Sequence, residues 1–302
     1  MLSALMLIIE IGIDPEIRDF GGLLLTWHGV FTAVGIAAGV WLAVILGRRR
    51  GFLEDDIYSA ALVAIPFGII GARALFVAER WGDPGVENAL DVIRLNEGGI
   101  SIYGAMIGGL LGGMIYVGIR RLSILRGLDV AIVGLLLGMA IGRIGDLING
   151  EHFAKVSSLP WAIRYTHLNS PSVLGHPECG LAPPARVDVN TLCAQHPAVG
   201  YELLGDLLII GVAFLIFRFV RKDGFAFFSC LLLYALMRLG VSELRIDSRV
   251  LFAGLTTPQV VSLVLIPIAT VGMIWTWLRG ESKDEPAPAI PVPRGEPQPA
   301  TH

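Results

Sequence analysis

The sequence predicts an all-α polytopic membrane protein: seven transmembrane helices with a small extracytoplasmic cap. Three observations carry this. Of the 302 residues, 54% are hydrophobic and only 16% charged, against about 25% charged in an ordinary soluble domain, and the mean hydropathy is +0.68. Seven stretches are each long and apolar enough to supply the roughly 20 helical residues that a bilayer crossing needs. The longest internal loop, 151–197, is the one that can build a cap. A formal net charge of −3 leaves no basic surplus to neutralise phosphates, so nucleic acid is not expected as a partner.

Residues 1–25 precede the first span. Their start, MLSALMLIIEIGIDPEI, has no Lys or Arg before its apolar run, and Glu10 interrupts that run early. It is a poor signal peptide and too short to span, so a short extracytoplasmic interfacial segment is expected. The spans follow at 26–46, 57–78, 100–119, 128–148, 198–217, 225–241 and 257–278. Together they form one catalytic or binding domain over 26–279, which includes the 151–197 loop.

Basic residues orient the chain. Arg48, Arg49 and Arg50 follow the first span, Arg120, Arg121 and Arg126 the third, and Arg218, Arg221 and Lys222 the fifth. With Arg279, Lys283 and Arg294 these make twelve on one side. Eight are scattered among acids on the other, and Arg73, Arg143 and Arg238 are left for the spans or their ends. The clustered side is cytoplasmic, so the N-terminus lies outside and the C-terminus inside. The 151–197 loop then lies outside; it is rich in proline, with a possible short strand over 161–165. Cys179 and Cys193 fall in it, where thiols are oxidised, and a disulfide between them is expected, with Cys230 packed as a small apolar residue in the sixth span. Residues 280–302, Pro-rich and polar, read as a disordered cytoplasmic tail.

Glycines recur at i+4 in two spans: Gly134, Gly138 and Gly142 in the fourth, Gly108 and Gly112 with Gly109 and Gly113 in the third. Such spacing lets helix backbones approach closely in lipid. It predicts tight packing between the third and fourth helices.

The densest polar stretch is GRIGDLINGEH at 142–152, straight after an apolar run. Helical spacing puts Arg143, Asp146 and Asn149 or Gly150 on one face. Ionisable groups at membrane depth are costly and mark functional sites, although an Arg143–Asp146 pair that merely locks helices together is the plainer alternative. Alternating helix direction brings further groups to the same outer end: Trp27 and His28; Arg73 and Glu79; Ser101 and Tyr103; Glu151; His196, Tyr201 and Glu202; Arg238, Glu243 and Arg245. This pattern describes a cavity open at one leaflet rather than a channel. An arginine fork suits phosphate, so a phospholipid headgroup is the expected ligand, with Asp146, Glu151, Glu202 and Glu243 orienting the arginines or acting as bases. The histidines show no i, i+4 pair and no CxxC occurs, which gives no support to a metal site. No Gly-rich phosphate loop or GxSxG elbow is present. An intramembrane aspartyl protease would need a partner for Asp146, and Asp206 is the only other candidate inside a span.

These residues resemble the bacterial prolipoprotein diacylglyceryl transferase family. The similarity runs from Leu24 to about Trp277. It rests on WHG at 27–29, Gly71 and Arg73, GGISIYGAMIGG at 98–109, GRIGDLINGEH, HPAVGYE at 196–202, and YALMR at 234–238 followed by Glu243, Arg245 and Asp247. The resemblance implies a transferase of the bacterial inner membrane that moves the diacylglyceryl group of phosphatidylglycerol to the lipobox cysteine thiol of prolipoproteins. A thioether forms and glycerol phosphate leaves, with no cofactor or metal. A non-catalytic phospholipid-binding or transport protein with the same arginine cavity is the alternative. Catalysis is expected of Arg143, Arg238, Glu151, Tyr103 and His28. Substrate binding is expected of Arg143, Asp146, Asn149, Gly150, Arg73, His196, Glu202, Glu243 and Arg245.

The chain departs from the commonest family pattern in four places. Tyr103 stands where many members have a histidine often proposed as base, Asp146 where asparagine is usual, and His28 where tyrosine is usual. The step from Arg238 to Glu243 is one residue longer. A phenol, with an ordinary pKa of about 10, is a poor base at neutral pH; Glu151, His28 or the leaving phosphate are the other candidates to take the thiol proton.

Overall fold

The computed structural model describes residues 8–19, 21, 24–82, 88, 99, 101–174 and 193–279. In chain order these form β1 (Ile9–Ile11), β2 (Glu16–Asp19), β3 (Leu24–Thr26), α1 (Trp27–Arg48), α2 (Glu54–Glu79), α3 (Ile102–Ile119), α4 (Ile124–Asn149), β4 (Ile163–Tyr165), α5 (Pro171–Leu174), α6 (Ala198–Phe219), α7 (Phe225–Ser242), β5 (Val250–Phe252), β6 (Leu255–Thr256) and α8 (Thr257–Arg279). Seven of the helices are long and apolar enough to cross a membrane, at the seven places where the sequence put them. The tail over 280–302 lies outside the described residues.

Local chemistry sets the helix ends. Thr26 Oγ1 accepts the Gly29 N–H at 3.2 Å and starts α1, and Ser123 does the same for α4. Each supplies an acceptor for an amide that has no partner within the helix. Asp129, fully buried on α4, accepts the N–H groups of Gly224 (2.9 Å) and Phe227 (2.8 Å), and so caps α7 from a neighbouring helix.

The bundle is apolar on its outside. Leu62, Leu208, Ile119 and Leu278 are all more than 70% exposed, as helices solvated by lipid require. The core lies around α4, where Val130, Val133 and Leu136 meet Leu46 of α1, Ile209, Ile210 and Ala213 of α6, and Cys230 of α7. Cys230 is a free, buried cysteine, and Cys193 is disulfide-bonded; its expected partner, Cys179, lies outside the described residues.

The glycine stripes pair the helices differently from the sequence expectation. α3 lies along α2 and α4 along α1, while α3 and α4 touch only sparsely. A Cβ on Gly39 would lie 2.5 Å from the Gly134 carbonyl oxygen, and one on Gly35 equally close to that of Gly138. A Cβ on Gly71 would meet Gly108 Cα at 2.9 Å. Each stripe needs a glycine face opposite it, and Gly35 and Gly39 on α1 and Gly68 and Gly71 on α2 provide those faces.

The described parts of the 151–197 loop, 151–174 and 193–197, build a cap over one end of the bundle. β4 forms where a short strand was expected over 161–165 and pairs in parallel with β1, Ile9 opposite Ile163 and Ile11 opposite Tyr165. The N-terminal segment is thus more than an interfacial element: it contributes a strand to the cap. Trp27 Nε1 donates to the Asp14 carbonyl (3.1 Å), and Asn169 Nδ2 to the Asp14 carboxylate (3.2 Å), closing the segment onto cap and bundle together.

Beneath the cap, the last turn of α4 presents carbonyls that no helical N–H can reach. Tyr165 donates to the carbonyl of Leu147 (2.8 Å), Ser170 to that of Asn149 (3.1 Å) and Ser172 to that of Gly150 (2.6 Å). Gly150 itself stands at φ 68°, in the left-handed region that lets the chain leave the helix there. Burial holds the Tyr165 phenol well above its ordinary pKa, so it remains a donor. The cap therefore fixes the helix end from which the densest polar stretch projects.

Candidate active site

At the cap end, residues from four parts of the chain form a closed ring of charge. Arg143 of α4 directs Nη1 to Asp146 Oδ2 (2.8 Å) and Nη2 to Glu202 Oε2 of α6 (2.7 Å). Glu202 Oε1 meets Arg245 Nη1 at 3.4 Å and is also ion-paired with Arg238 of α7. Arg245 grips Asp247 with Nε (2.9 Å) and Nη2 (2.6 Å). His152 Nδ1 stands 3.1 Å from Asp247, and His152 Nε2 3.5 Å from Asp146, where the ring closes.

Glu202 is the hub. It is 1% exposed and holds guanidinium groups from α4, from α7 and from the turn after α7. Buried charge persists only when paired and hydrogen-bonded; Asp146 on Arg143 and Asp247 on Arg245 share that load with Glu202, and Arg143 Nε stays buried without a hydrogen-bond partner among the described residues. One turn further along α6, Asp206 is fully buried, and neither of its oxygens has a hydrogen-bond partner among the described residues. Burial alone would push the Asp247 carboxyl up, but the hydrogen bonds to His152 and Arg245 overcome this and hold it well below the ordinary carboxylate range.

His28 joins the ring from α1, with Nδ1 2.5 Å from Asp146 Oδ1 and 4.0 Å from Glu151 Oε2. Glu151 accepts from Asn149 Nδ2 at 2.6 Å. Tyr103, half-buried at the start of α3, faces Arg238 and Arg245. Thus Arg143, Arg238, Arg245, Asp146, Asn149, Gly150, Glu151, Glu202, His28 and Tyr103 are gathered at one end of the bundle, as the sequence expected.

Three expected residues have other engagements. Arg73, 1% exposed, donates to the Gly99 carbonyl (2.9 Å) and so ties the start of α3 to α2. Glu243 turns toward α8, where it accepts from Gln259. His196 packs its ring against Tyr201, and its Nδ1 is buried without a hydrogen-bond partner among the described residues. Conversely, His152 and Asp247 belong to the ring although the residue-level reading gave them no role. The signals were present: His152 closes the polar stretch after α4, and Asp247 follows Arg245 by two residues just past a helix end.

His28 Nδ1 and carboxylate oxygens of Asp146 and Glu151 lie within 4.8 Å of one another and have the donor types of a cation site. Both carboxylates are already engaged, Asp146 by Arg143 and Glu151 by Asn149. Arg143 supplies the cation beside Asp146.

The "Prolipoprotein diacylglyceryl transferase" family matches residues 15–275 of the chain. Among similar proteins, the phosphatidylglycerol–prolipoprotein diacylglyceryl transferase of Clostridioides difficile (strain 630) is 32% identical over 244 residues, covering 80% of this chain and 87% of its own. The enzyme of that name from Acaryochloris marina is 32% identical over 268 residues, 87% of this chain and 91% of its own. That of Bacillus velezensis is 30% identical over 270 residues, 89% and 94% of the two chains.

Proposed function

The chain belongs to the prolipoprotein diacylglyceryl transferase family, and from that membership we propose that it transfers the diacylglyceryl group of phosphatidylglycerol to the lipobox cysteine of prolipoproteins at the cap end of the bundle. The thiol loses its proton to a base, and a sulfur lone pair attacks the glyceryl carbon that carries the phosphate. The carbon–oxygen bond breaks, and its electron pair leaves on glycerol phosphate. No oxidant, reductant or cofactor enters this balance.

One observation carries the assignment of the site: Arg143, Arg238 and Arg245 all converge on the buried carboxylate of Glu202. A phosphodiester monoanion gains a second negative charge as it leaves, and fixed guanidinium donors stabilise charge where it develops. Arg143 and Arg238 neutralise the departing phosphate. Glu202, Asp146 and Asp247 hold the arginines in place before lipid arrives. The chain sits in a bacterial inner membrane with its N-terminus outside, an orientation supported by the basic clusters after the first, third and fifth spans.

The test is incubation of the purified protein with phosphatidylglycerol and a lipobox peptide. Glycerol phosphate and a thioether-linked, lipidated peptide are expected in equal amounts. Binding of phosphatidylglycerol with neither product would make this a lipid-binding or transport protein and overturn the assignment.

A further inference from the structure

We propose that His28, oriented through Nδ1 by Asp146, is the general base that takes the proton of the acceptor thiol at Nε2. The proposal rests on the transferase reading and identifies the group that this reading leaves unnamed.

The placement begins with backbone contact. His28 is the second residue of α1. Its Cα packs where a side chain on Gly145 would be: a Cβ there would lie 2.8 Å from His28 Cα and 2.8 Å from the Trp27 carbonyl oxygen. The next residue of α4 is Asp146, so close approach of the two helices delivers the imidazole to the carboxylate. Asp146 is itself fixed, because its other oxygen is held by Arg143 Nη1 at 2.8 Å. An ionised Asp146 can only accept across the 2.5 Å contact, so Nδ1 donates, and in the neutral imidazole the lone pair is then on Nε2. No residue among those described hydrogen-bonds to Nε2, and the His28 side chain is 42% exposed, unlike the 5% of Asp146. A carboxylate that fixes tautomer and ring orientation while the far nitrogen faces the nucleophile is the arrangement that lets imidazole act as a base.

The competing groups are less suited. Glu151 accepts from Asn149 through Oε1, and its Oε2 lies 4.0 Å from His28 Nδ1, on the side of the ring away from Nε2. Tyr103 is turned to Arg238, and a phenol, with an ordinary pKa of about 10, is a poor base at neutral pH. Imidazole lies nearest to neutrality. The same Asp146 also binds Arg143, so proton removal from sulfur and charge neutralisation at the phosphate share one carboxylate. The charged groups facing His28 are Asp146 and Arg143 from α4 and Glu151 from the turn after it, with His152 reaching it only through Asp146.

A thiol needs this base and a selenol, more readily ionised, does not, so the test compares lipobox peptides carrying cysteine or selenocysteine on the full-length protein with phosphatidylglycerol. For the wild type, the rate with the cysteine peptide falls as the pH drops through the imidazole range, and the rate with the selenocysteine peptide changes much less. His28→Gln loses about 10²–10⁴-fold in kcat with cysteine, loses less than about tenfold with selenocysteine, and binds phosphatidylglycerol within about threefold of the wild type. Equal pH profiles for the two peptides on the wild type, or equal losses for both in His28→Gln, would reduce His28 to a structural group and overturn the proposal. A wild type that binds lipid but modifies neither peptide overturns the transferase reading instead.

Discussion

Arg143 spans two carboxylates, Glu202 at 2.7 Å through Nη2 and Asp146 at 2.8 Å through Nη1, and so joins α6 to the end of its own helix. The bridge depends on a planar fork. Lysine keeps the charge but offers one nitrogen, which cannot reach both partners along these directions. Arg143→Lys is expected to lower kcat by about 10²–10³-fold, read as glycerol phosphate release, with the protein still folded. Turnover close to wild type would mean that a point charge is enough.

Glu202 holds three guanidiniums together while fully buried. Its neutral isostere leaves them facing one another with one negative charge fewer. Glu202→Gln is expected to destabilise the bundle by about 3–5 kcal/mol, seen as a lower thermal midpoint in detergent. Because an anion replaces part of what was lost, inorganic phosphate is expected to raise that midpoint more in the variant than in the wild type. An unchanged midpoint would show that the arginines are stable without the carboxylate.

Much of this arrangement is legible in the sequence, for a physical reason. Lipid enforces helices, and a helix long enough to cross is long enough to recognise; the seven spans are therefore plain. The polar groups are also legible, since a residue such as Arg143 stands out against Val, Leu and Gly. Pairing is less so. Gly108 and Gly112 announce a close approach without naming the partner, because Gly71 on α2 and the glycines of α4 are equally small. Short strands such as Ile9–Ile11 have too few residues for a period to register. Direction is hidden as well: Glu243 and Arg245 are two residues apart, yet one turns to Gln259 on α8 and the other to Glu202 on α6.

Asp247 links pH to stability. Its carboxyl is held well below the ordinary range by His152 and Arg245 against the effect of burial. A group with a depressed folded pKa contributes stability that is fully present above its unfolded pKa, about 3.9, and lost as the pH falls through the folded value. The thermal midpoint of the wild type should therefore exceed that of Asp247→Asn at pH 6. The gap should narrow as the pH is lowered below about 4. A gap that stays constant down to pH 3 would show that the carboxylate charge is not what Arg245 and His152 respond to.

Two glycines three residues apart on α4 separate packing from propensity. A Cβ on Gly142 would meet nothing within 4 Å, whereas one on Gly145 would lie 2.8 Å from His28 Cα and 3.0 Å from Phe31 Cβ. In a helix interior, alanine is favoured over glycine by about 0.5–1 kcal/mol, so Gly142→Ala is expected to leave the thermal midpoint unchanged or slightly raised. Gly145→Ala carries the same local advantage but must push the start of α1 away from α4. Overpacking of this kind costs about 1–3 kcal/mol, and the displacement opens the 2.5 Å contact between His28 and Asp146. A lower midpoint is expected for Gly145→Ala, together with a fall in kcat larger than its change in phosphatidylglycerol affinity. If the two variants melt alike and turn over alike, the backbone contact between α1 and α4 is not what holds His28 in place.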